Sequence, residues 1–177
     1  MGLFGGEKII LTLEKIDYKP GDVIKGTITL NLNKPTKAKK LEVIFVGERF
    51  ETRPVTYDHH YHGDHHHRHN RYSTGTQHVS VGHVYDFTML LDGEKEYQSE
   101  QYQFEIKIPA DVLQLKTNYQ QKQENFKEKA EEKLGTFGKI LTQNMAIYPS
   151  HIKWIIHAHL DVPMKLDIKN SQDITIS

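Results

Sequence analysis

The chain has 177 residues, 23 Lys+Arg against 23 Asp+Glu, twelve histidines and no cysteine. Zero formal charge argues against a general polyanion binder, because nucleic-acid domains carry a basic excess. The missing cysteine excludes disulfides, thiolate nucleophiles and thiolate metal sites. The length suits one domain, 1–177, which needs no metal or cross-link to fold.

The start, 1-MGLFGG-6, lacks the basic opening of a signal peptide, and Gly6 stands where a myristoylation signal has Ser or Thr. No apolar run reaches the ~20 residues of a membrane helix, so a cytoplasmic protein without a stable membrane anchor is expected. In 8-KIILTLEKI-16, Ile9, Leu11 and Leu13 alternate with Ile10, Thr12 and Glu14, a strand signal. In 18-YKPGD-22, Pro20 and Gly21 predict a turn. The next strand, 23-VIKGTITLNL-32, puts Ile24, Gly26, Ile28, Leu30 and Leu32 on the inward face. The basic turn 33-NKPTKAKK-40 leads into 41-LEVIFVGERFE-51, where Leu41, Val43, Phe45 and Gly47 alternate with Glu42, Ile44, Val46 and Glu48. Further strands are predicted at 78–91, 97–109, 152–163 and 165–176. Within 97–109, Tyr102, Phe104, Ile106 and Ile108 share a face.

One segment departs from this pattern. The stretch 111-DVLQLKTNYQQKQENFKEKAEEKLG-135 is rich in helix formers. Tyr119, Phe126, Ala130 and Leu134 make a narrow apolar stripe, and Gly135 suits a C-cap. Spaced strands with one polar helix and no βαβ alternation predict an all-β, antiparallel, immunoglobulin-like sandwich with an inserted helix at 111–135.

The order of motifs carries a resemblance. The run 13-LEKIDYKPGDVIKGTITLNLNKPTKAKKLEVIFVGE-48 resembles the opening of arrestin-like proteins: a strand, a Tyr, a Pro-Gly-acidic turn, hydrophobic-x-Gly-x-hydrophobic, a basic turn and a strand ending in Gly. The stretches 97-YQSEQYQFEIKIPADV-112, 154-WIIHAHLDVP-163 and 168-IKNSQDITI-176 resemble later strands of the family's first lobe. The opening is similar to that of the bacterial and archaeal sporulation-control (SpoOM-like) members. The resemblance implies a single lobe of the N-terminal type and a non-catalytic adaptor that binds protein partners through loops and edge strands. An edge left uncovered by the absence of a second lobe predicts a homodimer, the alternative being a monomer whose edge the 111–135 helix covers.

The resemblance places 57-YDHHYHGDHHHRHNRY-72, within the predicted loop 57–77, where arrestins carry a receptor-contacting loop. Three readings stand for this stretch. One is a solvated loop. Another is a site for Zn²⁺, Ni²⁺ or Cu²⁺ on His59, His60, His62, His65, His66, His67 and His69, with no cofactor required for folding. The third is a proton sensor, since histidines titrate near pH ~6.5. The interleaved Tyr57, Tyr61, Arg68, Arg71 and Tyr72 are candidate partner contacts. Lys34, Lys37, Lys39 and Lys40 form either a solvated turn or a contact for anionic lipid or phosphorylated peptide. His157 and His159 are expected on a solvent-facing strand surface, and Trp154 is assigned to the same side. No G-x-S-x-G, P-loop or G-x-G-x-x-G motif is present, so no catalytic residue is assigned and no nucleic-acid partner is expected.

Overall fold

The computed structural model describes residues 8–59, 71–143, 148–164 and 166–177. Period-two alternation yields strands wherever one face can be buried. In chain order these are β1 (Lys8–Leu13), β2 (Asp17–Tyr18), β3 (Val23–Asn31), β4 (Thr36–Ala38), β5 (Lys40–His59), β6 (Arg71–Asp92), β7 (Lys95–Tyr97), β8 (Gln101–Lys107), β9 (Ser150–Asp161) and β10 (Ile168–Ile176). A 3-10 turn, Val112–Gln114, precedes the helix α1 (Asn118–Gln143). The sheet orders are β1-β3-β8, β2-β10-β9-β5-β6 and β4-β7. β1 with β3, β3 with β8, β9 with β10 and β4 with β7 are antiparallel, while the short β2 runs parallel to β10. The all-β antiparallel sandwich with one helix is therefore the fold.

The chain forms two compact units, 1–48 with 83–116 and 153–177, and 49–82 with 117–152. The first holds the main core. β3 contributes Ile24, Ile28 and Leu30, β5 contributes Leu41, Val43 and Phe45, and β8 contributes Phe104 and Ile106. β9 adds Trp154, Ile156, Ala158 and Leu160. Trp154 thus lies on the side opposite the histidines and is only 3% exposed. The assignment to the histidine side is corrected by parity: residues an even number apart on a strand face the same way, so Trp154 goes with Ile156.

Its indole needs Gly47. A Cβ there would run into the six-membered ring of Trp154, and the same ring packs 5.6 Å from Phe45, which in turn lies 5.1 Å from Tyr85. Gly21 takes φ +88° at the predicted Pro-Gly turn. That turn is closed by the Asp22 amide donating to the Lys19 carbonyl at 3.0 Å.

The second unit holds α1, and its ends differ from expectation. Thr117 and Gln120 form a reciprocal capping box. The Gln120 amide donates to Thr117 Oγ1 at 3.1 Å, and the Thr117 amide donates to Gln120 Oε1 at 3.0 Å. Gly135 does not end the helix but breaks it, at φ 53°, ψ −128°. After the break a Cβ on Gly138 would strike the Ala130 carbonyl. Residues eight apart in a straight helix are separated by about 12 Å, so this contact requires the chain to fold back at Gly135. Tyr119, Phe126, Leu134, Phe137 and Ile140 remain exposed on the resulting pair of helices.

Filling the Gly47 space tests the core. Gly47→Val should lower stability by about 1–3 kcal/mol, read from the urea midpoint, because the displaced indole has nowhere to go. Gly93→Ala, into open space at ordinary φ, should change it by less than about 0.5 kcal/mol.

Candidate interaction surface

The basic turn and the end of β9 are brought together in the first unit. The Lys39 amide donates to the Asp161 carbonyl at 2.8 Å, which ties the β4–β5 corner to the start of the β9–β10 hairpin. Lys34, Lys37 and Lys39 are exposed, and Lys40 is half-buried.

Lys40 belongs to a cluster of charges. Its Nζ lies 2.7 Å from Glu42 Oε2, and the Glu42 side chain is only 6% exposed. Alternation from Leu41 puts Glu42 on the outer face, where His157 and His159 also lie. His159 covers it, with Nδ1 2.9 Å from Glu42 Oε1. The other ring nitrogen, Nε2, is 3.0 Å from Asp167 Oδ2, close enough for an ion pair although not aligned as a hydrogen bond. Only the protonated imidazole has an N–H for each carboxylate. Asp167 also accepts from the Val162 amide at 3.3 Å, and Lys169 stands 3.7 Å away.

Burial pushes the Glu42 carboxyl up, but the hydrogen bonds from Lys40 and His159 and their charges outweigh it, so its pKa ends below the ordinary value. The close His159 ring nitrogen likewise holds Asp167 low, against a smaller desolvation effect. The neighbouring His157 is pushed down by burial, and its Nδ1 pairs with Ser171 Oγ at 2.7 Å.

Both nitrogens of His159 face carboxylates, Nδ1 towards Glu42 and Nε2 towards Asp167. The cluster is a clasp: it fastens β5, β9 and the hairpin leading to β10. Among the described residues no group of three or more His, Asp or Glu is arranged to hold a metal ion. The predicted metal ligands His60, His62, His65, His66, His67 and His69 lie outside the described residues, as do Tyr61 and Arg68. β5 runs to His59 and β6 starts at Arg71, but the side chains of Tyr57, His59, Arg71 and Tyr72 also lie outside the described set. The sequence reading missed Glu42 and Asp167. Glu42 carries a signal, a carboxylate inside the otherwise apolar stretch 41–47.

The sheet orders, the Pro-Gly turn and the antiparallel sandwich define a β-sandwich scaffold of arrestin type. The family of the arrestin (or S-antigen) N-terminal domain matches residues 8–177, and the chain belongs to that family. Among solved structures it is similar to Spo0M, a sporulation control protein from Bacillus subtilis, at 14% identity and a TM-score of 0.46. The match covers 98% of this chain and 50% of the other, so the chain spans about half that protein's length. No curated protein matches the chain.

The clasp makes a pH-dependent contribution with a definite sign. A carboxyl whose pKa is depressed on folding stabilises above its ordinary value, and that stabilisation is lost as pH falls through the folded value. Glu42→Ala should cost about 1–3 kcal/mol near neutrality, since it leaves the partly buried His159 without its acceptor. The difference from the unmodified protein should hold down to the ordinary 4.5 and shrink below it, measured by urea titration at a series of pH values.

Proposed function

We propose that the protein is a non-catalytic adaptor of the cytoplasm that holds protein partners through its loops and edge strands. The observation that carries this reading is the long strand β6, which ends the five-stranded sheet order and carries Phe87 and Leu90 at 37% and 62% exposure. A strand at a sheet edge presents backbone donors and acceptors to an incoming strand, and the apolar side chains give such a partner a surface to cover. Membership of the arrestin N-terminal domain family supports an adaptor in general terms. Among the described residues no helix is long and apolar enough to cross a membrane.

A second copy of the chain is one partner this edge suits. Light scattering at micromolar concentration with chelator present should give twice the 20.6 kDa chain mass. Phe87→Lys with Leu90→Lys should return it to the single-chain mass without lowering Tm, because lysines on an edge oppose strand pairing. Capture of a protein from the native organism should be lost in the same variant. A binding partner retained in full would reject β6 as the docking edge. Metal content after purification without an affinity column separates this reading from the metal reading of 57–72, which rests on the sequence alone.

A further inference from the structure

We propose that His78 and His151 together bind one transition-metal dication, Zn²⁺ or Cu²⁺, and that the ion clamps β6 to β9 across β5. This inference stands apart from the adaptor reading and from the metal reading of 57–72. It uses described residues alone, all of them within the second unit.

The two rings converge. The sheet order places β5 between β9 and β6. Strands two places apart in a sheet lie about 10 Å apart. The ring centroids of His78, on β6, and His151, on β9, are nevertheless 5.4 Å apart. Both side chains therefore lean inward over β5. Two imidazoles that each give a ring nitrogen to one tetrahedral ion, at ~2.1 Å, have their centroids about 5 Å apart. The ring planes stand at 82°, and a histidine ring turns about χ2 at little cost. A nitrogen of each thus reaches a common point with the backbone unmoved.

β5 supports each ring from below. His78 Nδ1 lies 3.2 Å from Thr52 Oγ1. In the tautomer whose Nδ1–H donates to that hydroxyl, Nε2 keeps its lone pair for a metal, and a hydrogen bond on the far nitrogen is the usual support of a metal-binding imidazole. His151 stacks on Phe50, with centroids 5.6 Å apart and planes at 15°. Phe50 and Thr52 are two residues apart on one strand and share a face. Arg49 and Ser150, bonded to each other at 3.1 Å, belong by the same alternation to the other face, so the guanidinium is kept from the position of the ion.

Two protein ligands make an open site. Both histidines are exposed, so water completes the coordination. Imidazole nitrogen suits Zn²⁺ and Cu²⁺, whereas Mg²⁺ and Ca²⁺ take oxygen. The consequence is mechanical. An ion held by rings from two strands binds the folded chain and not the unfolded one, so it raises stability by mass action. Histidines that are neighbours in sequence also bind metal when the chain is unfolded, and that binding cancels much of any such gain. Stabilisation, and not metal binding by itself, is therefore the signature of this pair.

The test is thermal unfolding of the full chain with every histidine of 59–69 replaced by Asn. Zn²⁺ at about a hundredfold excess over its Kd should raise Tm by about 5 °C or more. Mg²⁺ should leave Tm unchanged, and Cu²⁺ should bind more tightly than Zn²⁺. His78→Gln and His151→Gln should each abolish the rise while leaving the metal-free Tm nearly unchanged, since both side chains are exposed. Thr52→Val should weaken Zn²⁺ binding several-fold, because the tautomer is no longer held. Should the Asn-substituted chain fail to fold, the same two Gln variants are compared with the otherwise unmodified chain, where each must reduce the rise that Zn²⁺ produces. A rise that survives either His substitution, or no rise at all, overturns the proposal and leaves the two rings as an aromatic contact.

Discussion

The packing of Trp154 over Gly47 is the contact on which the first unit depends. β5 and β9 are neighbours in the five-stranded sheet, and the indole lies where a side chain on β5 would otherwise stand. That space exists only because residue 47 has no Cβ. It lets the Trp154 ring pack tilted against Phe45, which in turn packs tilted against Tyr85. Gly26 plays the matching part in the three-stranded sheet, where a Cβ would meet Phe104 and Leu13. The five-stranded and the three-stranded sheet thus each carry a glycine facing a large aromatic residue.

A buried carboxylate on the outer face of β5 sets the second constraint. Glu42 has lost most of its water and is retained because the Lys40 ammonium and the His159 ring replace that water as hydrogen-bond partners. The consequence is mechanical: residues from β5, β9 and the approach to β10 are tied at one corner. The basic turn and the β9–β10 tip are far apart in the sequence yet share this corner.

The helix follows a different logic. Its polar surface and narrow stripe leave it half in water, and its geometry is set by local signals: a capping box at its start and a glycine at its reversal. The stripe side chains Tyr119, Phe126 and Leu134 are all about half exposed or more. An amphipathic period shows which residues share a helix face, but it does not say that anything covers that face.

By itself the sequence determined the longer strands, the Pro20-Gly21 turn and the inward faces of β3 and β8, because alternation and turn chemistry are local properties. The order of its motifs resembled the family. The sequence did not show the short strands β2, β4 and β7, nor that β5 reaches His59 and β6 starts at Arg71 within the predicted loop 57–77. It also contained the Thr117-x-x-Gln120 cap, which helix-former content alone placed several residues too early. It did not determine that Gly135 is a reversal, since a glycine after a helical run reads equally as an end. Only the tertiary structure decided that Glu42 meets His159 across 117 positions, that Trp154 rests on Gly47, and that Lys39 adjoins Asp161. Those contacts join strands distant along the chain. Their partners are selected by sheet order and register, and a period of two cannot reveal either.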